Sequence, residues 1–176
     1  GMILCMLAKI TGAKQVLLIG RTQEKLDFAL NNGIVENVCN SSKCDVAEWI
    51  NEVTAGDGVD VSFEGTGGAS TMEQCLYVAK PMGRILAMGN PVGDINLKKD
   101  AYWKLLRKQL RIIGTWNSSF GSYPDDWISV ITLLEQDKLP LSKLITHRFP
   151  LSALMKGLEI MRDKTEYYNK IMIVND

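Results

Sequence analysis

Strand-like and helix-like segments alternate along this chain, and the strand-like ones run out onto glycine. Val16 to Ile19 is an unbroken apolar run ending at Gly20-Arg21-Thr22. Val59-Asp60-Val61-Ser62-Phe63 ends at Glu64-Gly65-Thr66-Gly67, Arg84 to Met88 at Gly89-Asn90, and Leu110 to Ile113 at Gly114-Thr115-Trp116. Ile34 to Val38, Ile95 to Leu97 and Ile171 to Val174 are shorter strand candidates.

Helical signals fill the intervals. Met2 to Ala8, apolar nearly all round, reads as a buried helix over 2–11. Thr22 stands as N-cap of a helix carrying Leu26, Ala29 and Leu30 and closed by Gly33. Asp45 with Glu48, and Ser70 with Glu73, have capping-box spacing. Val46, Trp49, Ile50 and Val53 follow the first pair on one face; Met72, Cys75, Leu76 and Ala79 follow the second, until Pro81 and Gly83. Tyr102 to Leu106 is a short helix. Pro124-Asp125-Asp126 opens another, with Trp127, Val130, Ile131 and Leu134 spaced for burial, and Leu151, Leu154, Met155, Leu158 and Met161 mark the last.

Alternation on this length scale implies right-handed crossovers and a parallel sheet covered on both faces. The aliphatic runs at Val16, Arg84 and Leu110 have the composition of strands buried in such a sheet. The fold class is therefore α/β, a Rossmann-like doubly wound parallel sheet. In these sheets a ligand lies beyond the carboxyl ends of the strands, and four glycine-bearing exits favour a flat ligand close to the backbone.

Bulk properties narrow the function. With 176 residues, 46% of them hydrophobic, the chain can bury one domain and a small appendage. Lys+Arg and Asp+Glu are equal at 20 each, which gives no footprint for nucleic acid or an anionic membrane. The Met2 to Ala8 run is too short to span a bilayer and lacks the features of a secretory leader. Cys5, Cys39, Cys44 and Cys75 show no framework spacing. Reduced structural thiols and a cytoplasmic location are the expectation.

A family resemblance rests on GAKQVLLIGRTQEKLDFALNNG, VDVSFEGTGG, AKPMGRILAMGNP, LRKQLRIIGTW and ITHRFPL with KIMIV, in one order and at familiar spacings. Together they resemble the cofactor-binding half of zinc-type medium-chain dehydrogenases/reductases, the alcohol dehydrogenase superfamily. LRKQL, GTW and the aromatic loop to Trp127 are similar to the polyol branch, which includes sorbitol and galactitol-1-phosphate dehydrogenases. The resemblance implies a Rossmann-type dinucleotide-binding domain over 1–145, incomplete at its N-terminus, and a 146–176 segment that in relatives returns to the catalytic domain. Gly1 stands where the third glycine of GxGxxG belongs, or is a remnant before a start Met2. On this alignment the chain is N-terminally truncated. The first, central strand is expected to be missing between the strands at Val16 and Val59, along with the catalytic domain and its zinc ligands.

The resemblance also implies the site. Gly20 stands where NAD-using relatives place an Asp that would repel a 2′-phosphate. Arg21 supplies a guanidinium able to bind one, so Gly20-Arg21-Thr22 favours NADP over NAD. Lys25 matches a lysine beside the adenosine ribose. Thr66, Gly67, Gly89 and Asn90 match exits that offer backbone groups to the ribose and nicotinamide, and Lys170 matches a position that neutralises the pyrophosphate. The plain readings are a solvated Arg21, an exposed helix Lys25 and an edge-strand guard at Lys170. Glu64 is expected to be a structural partner, Arg107-Lys108 to cap a turn, and His147 to have no chemistry. Trp116, Phe120, Tyr123 and Trp127 are expected to pack in a core, the alternatives being the wall of a polyol pocket or a contact with a partner subunit. No catalytic residue or metal ligand is assigned to this chain.

The expected function is the coenzyme half of an oxidoreductase moving hydride between a polyol or sugar-alcohol phosphate and NAD(P). The fragment alone is expected to be inactive, zinc to belong only to the missing domain, and the enzyme to be a homo-oligomer. The alternatives are a zinc-free quinone or enoyl reductase and a non-catalytic nucleotide-binding or assembly fragment.

Overall fold

The computed structural model describes residues 1–121 and 125–175. Along the chain the elements are α1 (Met2–Ile10), β1 (Leu17–Gly20), α2 (Gln23–Asn31), β2 (Asn37–Asn40), α3 (Val46–Val53), β3 (Val59–Glu64), α4 (Ala69–Val78), β4 (Ala79–Ala87), α5 (Lys99–Arg107), β5 (Arg111–Gly114), α6 (Asp126–Glu135), β6 (Ile145–Pro150), α7 (Leu154–Asp163) and β7 (Lys170–Val174). Every strand pairing is parallel. The strands form three sheets, β1-β2, β3-β4-β5 and β6-β7, and among the described residues no strand fills the far edge of β1 or of β3.

The chain divides into two compact units, residues 1–40 with 124–176, and residues 41–123. In the first, Cys5 and Met6 of α1, Val16, Ala29 of α2, Ile34, Val35, Leu139 and Leu144 form the buried core. The expected buried helix is buried only in part: Cys5 and Met6 enter the core, while Ile3 is exposed. Ile34 and Val35 are 2% exposed each, but they belong to the turn after α2 and not to a strand. β2 begins only at Asn37 because the carbonyl of Ala29 takes both their N–H groups.

The second unit is built around Cys75, Leu76, Ala79, Ile85, Ala101 and Leu110. Asp45 caps α3 as expected, accepting from Ala47 N–H at 2.8 Å and Glu48 N–H at 3.0 Å. The second capping box does not form. α4 starts at Ala69 with Gly68 as N-cap, so Ser70 lies inside the helix. Glu73 instead accepts the Lys98 N–H at 2.6 Å, just before α5. Tyr77 donates to Asp100 at 2.5 Å, and Lys108 Nζ donates to the carbonyls of Tyr77 and Ala79 at 2.8 and 2.6 Å. Three polar ties thus join α4 to the α5 segment, and Lys108 neutralises the carbonyl end of α4. Burial, with Lys104 nearby, pulls the Lys108 pKa below the ordinary lysine value.

Other expectations are corrected. Ile95 to Leu97 is not a strand. β5 is exposed at all four residues, because only β4 pairs with it and its other edge is open among the described residues. No α6 residue is buried; Trp127, Val130, Ile131 and Leu134 face outward, and only Leu133 packs against the first core. α7 buries Gly157 and Ile160, while the apolar stripe from Leu151 to Met161 stays exposed. Trp116, Phe120 and Trp127 are 78%, 81% and 56% exposed, so they are not core; Tyr123 lies outside the described residues. Cys5 and Cys75 are free and buried as expected, but Cys39 and Cys44 are disulfide-bonded. Sequence spacing carried no sign of that bond.

Candidate functional site

In the second unit, β3 and β4 end side by side and their exits interlock. The Glu64 carbonyl accepts the N–H groups of Met88 and Gly89 at 2.9 and 3.0 Å, and the Gly67 carbonyl accepts the Val92 N–H at 3.1 Å. Gly67 has φ +77°, and a Cβ there would lie 1.7 Å from the Asn90 oxygen. A Cβ on Gly89 would lie 2.2 Å from the Gly67 nitrogen. Only glycine fits at either place, so the backbone is bare where the two exits meet.

Glu64 holds this junction from beneath. It is 3% exposed, and its Oε1 accepts from Thr66 N–H at 2.8 Å, the Thr66 hydroxyl at 2.7 Å, Gly67 N–H at 3.0 Å and the Thr71 hydroxyl at 2.9 Å. Burial pushes its pKa up, but the bonds from Thr66, Thr71 and Gly67 outweigh it and hold the carboxyl below the ordinary glutamate value. Glu64 is a structural partner, as its sequence context led us to expect. Thr71 was not singled out from sequence, although a hydroxyl in the first turn of a helix starting five residues past a strand end is a readable signal. The N–H groups of Thr66, Gly67 and Gly89 are all used internally. Asn90 is exposed and, among the described residues, makes no hydrogen bond.

In the first unit, β1 delivers Gly20, Arg21 and Thr22 to the start of α2. Gly20 pairs in register with Asn40 of β2, whose amide donates to Gln23 at 2.9 Å. A Cβ on Gly20 would lie 3.2 Å from Leu26 Cδ2. Thr22 is the N-cap of α2 by position, but its side chain makes no capping bond, so its hydroxyl is left outward. Arg21 and Lys25 are exposed, and among the described residues neither makes a side-chain hydrogen bond or ion pair. Two free cations and a free hydroxyl therefore flank a helix N-terminus that no side chain of the N-cap satisfies. That is an arrangement suited to a phosphate.

Gly1 precedes α1 and its carbonyl takes the Cys5 N–H at 3.0 Å. A Cβ there would meet Leu18 Cδ1 at an ordinary 3.6 Å. Lys170 opens β7, exposed, beside an apolar hollow lined by Ile3, Leu144, Ile145 and Ile171. Gly1, Gly20, Arg21, Thr22, Lys25 and Lys170 thus belong to the first unit, and Thr66, Gly67, Gly89 and Asn90 to the second. Among the described residues no group of three His, Cys, Asp or Glu side chains could hold a metal, so the residues present do not fit a zinc site. Among the described residues no helix is long and apolar enough to cross a membrane.

The sequence profile of the family described as zinc-binding dehydrogenase matches residues 1–136. The chain is 29% identical over 167 residues to an erythritol/L-threitol dehydrogenase of Mycolicibacterium smegmatis, covering 91% of this chain and 43% of that protein. It is 31% identical over 163 residues to an L-threonine 3-dehydrogenase of Bacillus subtilis, covering 92% and 45%. Its fold superimposes on the crystal structure of galactitol-1-phosphate dehydrogenase from Escherichia coli with TM-score 0.80 at 26% identity, over 95% of this chain and 48% of that one. The chain spans less than half the length of the curated relatives it matches.

Proposed function

The chain belongs to the zinc-binding dehydrogenase family, and on that premise we propose that it is the coenzyme-binding half of an NAD(P)-dependent alcohol or polyol dehydrogenase. The substrate class we assign is a polyol or a sugar-alcohol phosphate. The assignment is supported by the likeness to an erythritol/L-threitol dehydrogenase and a galactitol-1-phosphate dehydrogenase. Within the chain, residues 1–145 form the dinucleotide-binding part and 146–176 the segment that continues into the catalytic part.

The residues present fit a dinucleotide. Where Gly67 meets Asn90, and Gly89 meets Gly67, backbone packs directly on backbone with no room for a Cβ, which supports a fixed platform for the ligand. Thr66, Gly67, Gly89 and Asn90 would take the ribose and nicotinamide, with Asn90 supplying the polar groups not used internally. Gly1 and Lys170 would lie by the pyrophosphate. When bound, the nicotinamide ring supplies the hydride acceptor. The protein's part is to hold that ring in one place and to keep it oriented. We assign the zinc ligands to residues outside this chain, and the homo-oligomer seam to the open edge of β5.

We assign NADP as the preferred cofactor. The observation that carries this is the free Arg21 guanidinium next to Gly20, with Thr22 and Lys25 beside it at the start of α2. An acid at position 20 would repel a 2′-phosphate; glycine leaves room for one, and Arg21 can bind it with two parallel bonds. The test is the ratio of kcat/KM for NADP over NAD in the full-length enzyme and its Arg21→Ala variant. Losing a charged hydrogen-bonded contact costs about 1.5–3 kcal/mol, so the ratio should fall about 10- to 150-fold. A wild type that prefers NAD, with a ratio unmoved by the substitution, would end the NADP assignment.

A further inference from the structure

Glu64 is a buried carboxylate with no cation beside it: among the described residues it makes no ion pair. Its charge is met by neutral donors, two peptide N–H groups and two hydroxyls, at the start of α4 where the helix dipole also favours an anion. Such an arrangement could be no more than a helix cap. Its reach argues for more. Oε1 binds the β3 exit at Thr66 and Gly67, while Oε2 lies where a Cβ on Gly89, in the β4 exit, would come within 2.8 Å of it. The main-chain carbonyl of the same residue takes both Met88 and Gly89 N–H. One residue, through side chain and backbone, fixes both exits.

We infer that Glu64 is a positioning residue: its carboxylate fixes the β3 exit, which its own main-chain carbonyl and the Gly67 carbonyl tie to the β4 exit, and so it sets where Thr66 and Asn90 meet the nicotinamide half of the cofactor. This rests on the dinucleotide reading above. A carboxylate is an acceptor at every lone pair, which is what four converging donors require. Glutamine keeps the shape but turns one acceptor into an NH₂ donor, and that group would face N–H donors or the Gly89 backbone. The β3 exit would then have to shift at Gly67. The β1 exit is built from β1, β2 and α2.

The prediction is a split between the two ends of the ligand. Calorimetric Kd values for NADP and 2′,5′-ADP, and for NAD and AMP, are measured on the full-length wild type and on Glu64→Gln. The dinucleotide that wild type binds should weaken at least about tenfold, whereas its adenosine half changes less than about twofold. Equal weakening of both ligands would mark Glu64 as a general support of the fold and overturn the inference; so would no weakening of either. If Glu64→Gln does not fold, Thr71→Val removes a single donor to the carboxylate and decides the question. It should show the same selectivity at about threefold, and equal affinities would overturn the inference. A wild type that binds neither dinucleotide would refute the function proposed above and this inference with it. Wild-type binding with an unchanged variant would refute this inference alone.

Discussion

At the end of β1 the chain presents side chains and fixes little; at the ends of β3 and β4 it presents backbone and fixes nearly all of it. Arg21, Thr22 and Lys25 stand exposed around the start of α2, and the neighbouring Gly20 would tolerate a Cβ with only a small shift of Leu26. Gly67 and Gly89, by contrast, are packed so closely that an added Cβ would overlap peptide groups, and Glu64 is buried beneath them. The difference separates two tasks. Telling one phosphate pattern from another is done by charged side chains, which can change one at a time. Holding a ring in register is done by a rigid backbone, and that requires several residues to agree.

The largest effect expected from this contrast is on stability at the locked exit. Gly67→Ala combines positive φ with an approach of 1.7 Å to the Asn90 oxygen, so the β3 or β4 exit must rearrange. Denaturant unfolding should show a loss on the order of 4 kcal/mol, in the range reserved for backbone conflicts of this kind. A loss below about 1 kcal/mol would mean the interlock is not as tight as drawn.

A smaller effect should appear with pH. Burial raises the Glu64 pKa, yet the bonds from Thr66, Thr71 and Gly67 bring it below the ordinary value when the protein is folded. A carboxyl lowered in this way adds stability above its unfolded pKa and loses it as pH falls through the folded one. The stability gap between wild type and Glu64→Gln should hold steady from pH 8 to 6, then shrink below about pH 4.3. A gap independent of pH down to 3 would show that the charge of Glu64 contributes nothing.

The smallest effect belongs to the open exit. Gly20→Ala meets only the flexible end of Leu26, at 3.2 Å, with no positive φ to relieve. Its unfolding free energy should change by less than about 0.5 kcal/mol. A large loss there would erase the distinction between the two exits.

How much of this was legible in the sequence follows the range of the forces involved. The α/β class, the strand exits and the Asp45 cap are set by neighbours in the chain, and they were read correctly. Glu64 was read as a structural partner, and among the described residues its carboxylate does take only donors from its own exit and the first turn of α4. Glu73 was misread because the local box competed with a partner 25 residues away, the Lys98 N–H, and lost. Burial was misread wherever an apolar pattern stood in for a neighbour. β5, α6 and the stripe on α7 have core-like composition, yet among the described residues nothing covers their outer faces. Periodicity reports which face is apolar and says nothing about what lies against it. The bonded Cys39 and Cys44 belong with these cases, since a five-residue spacing carries no geometry.

Lys108 has a bearing on how the chain is assembled. Its ammonium closes the corner between α4 and β4 by gripping carbonyls 31 and 29 positions upstream, and its own carbonyl takes the Met82 N–H at 2.7 Å. That corner is fastened only when the segment after α5 is in place, 29 to 31 residues beyond the carbonyls it holds. The order of assembly is tied here to a single amine.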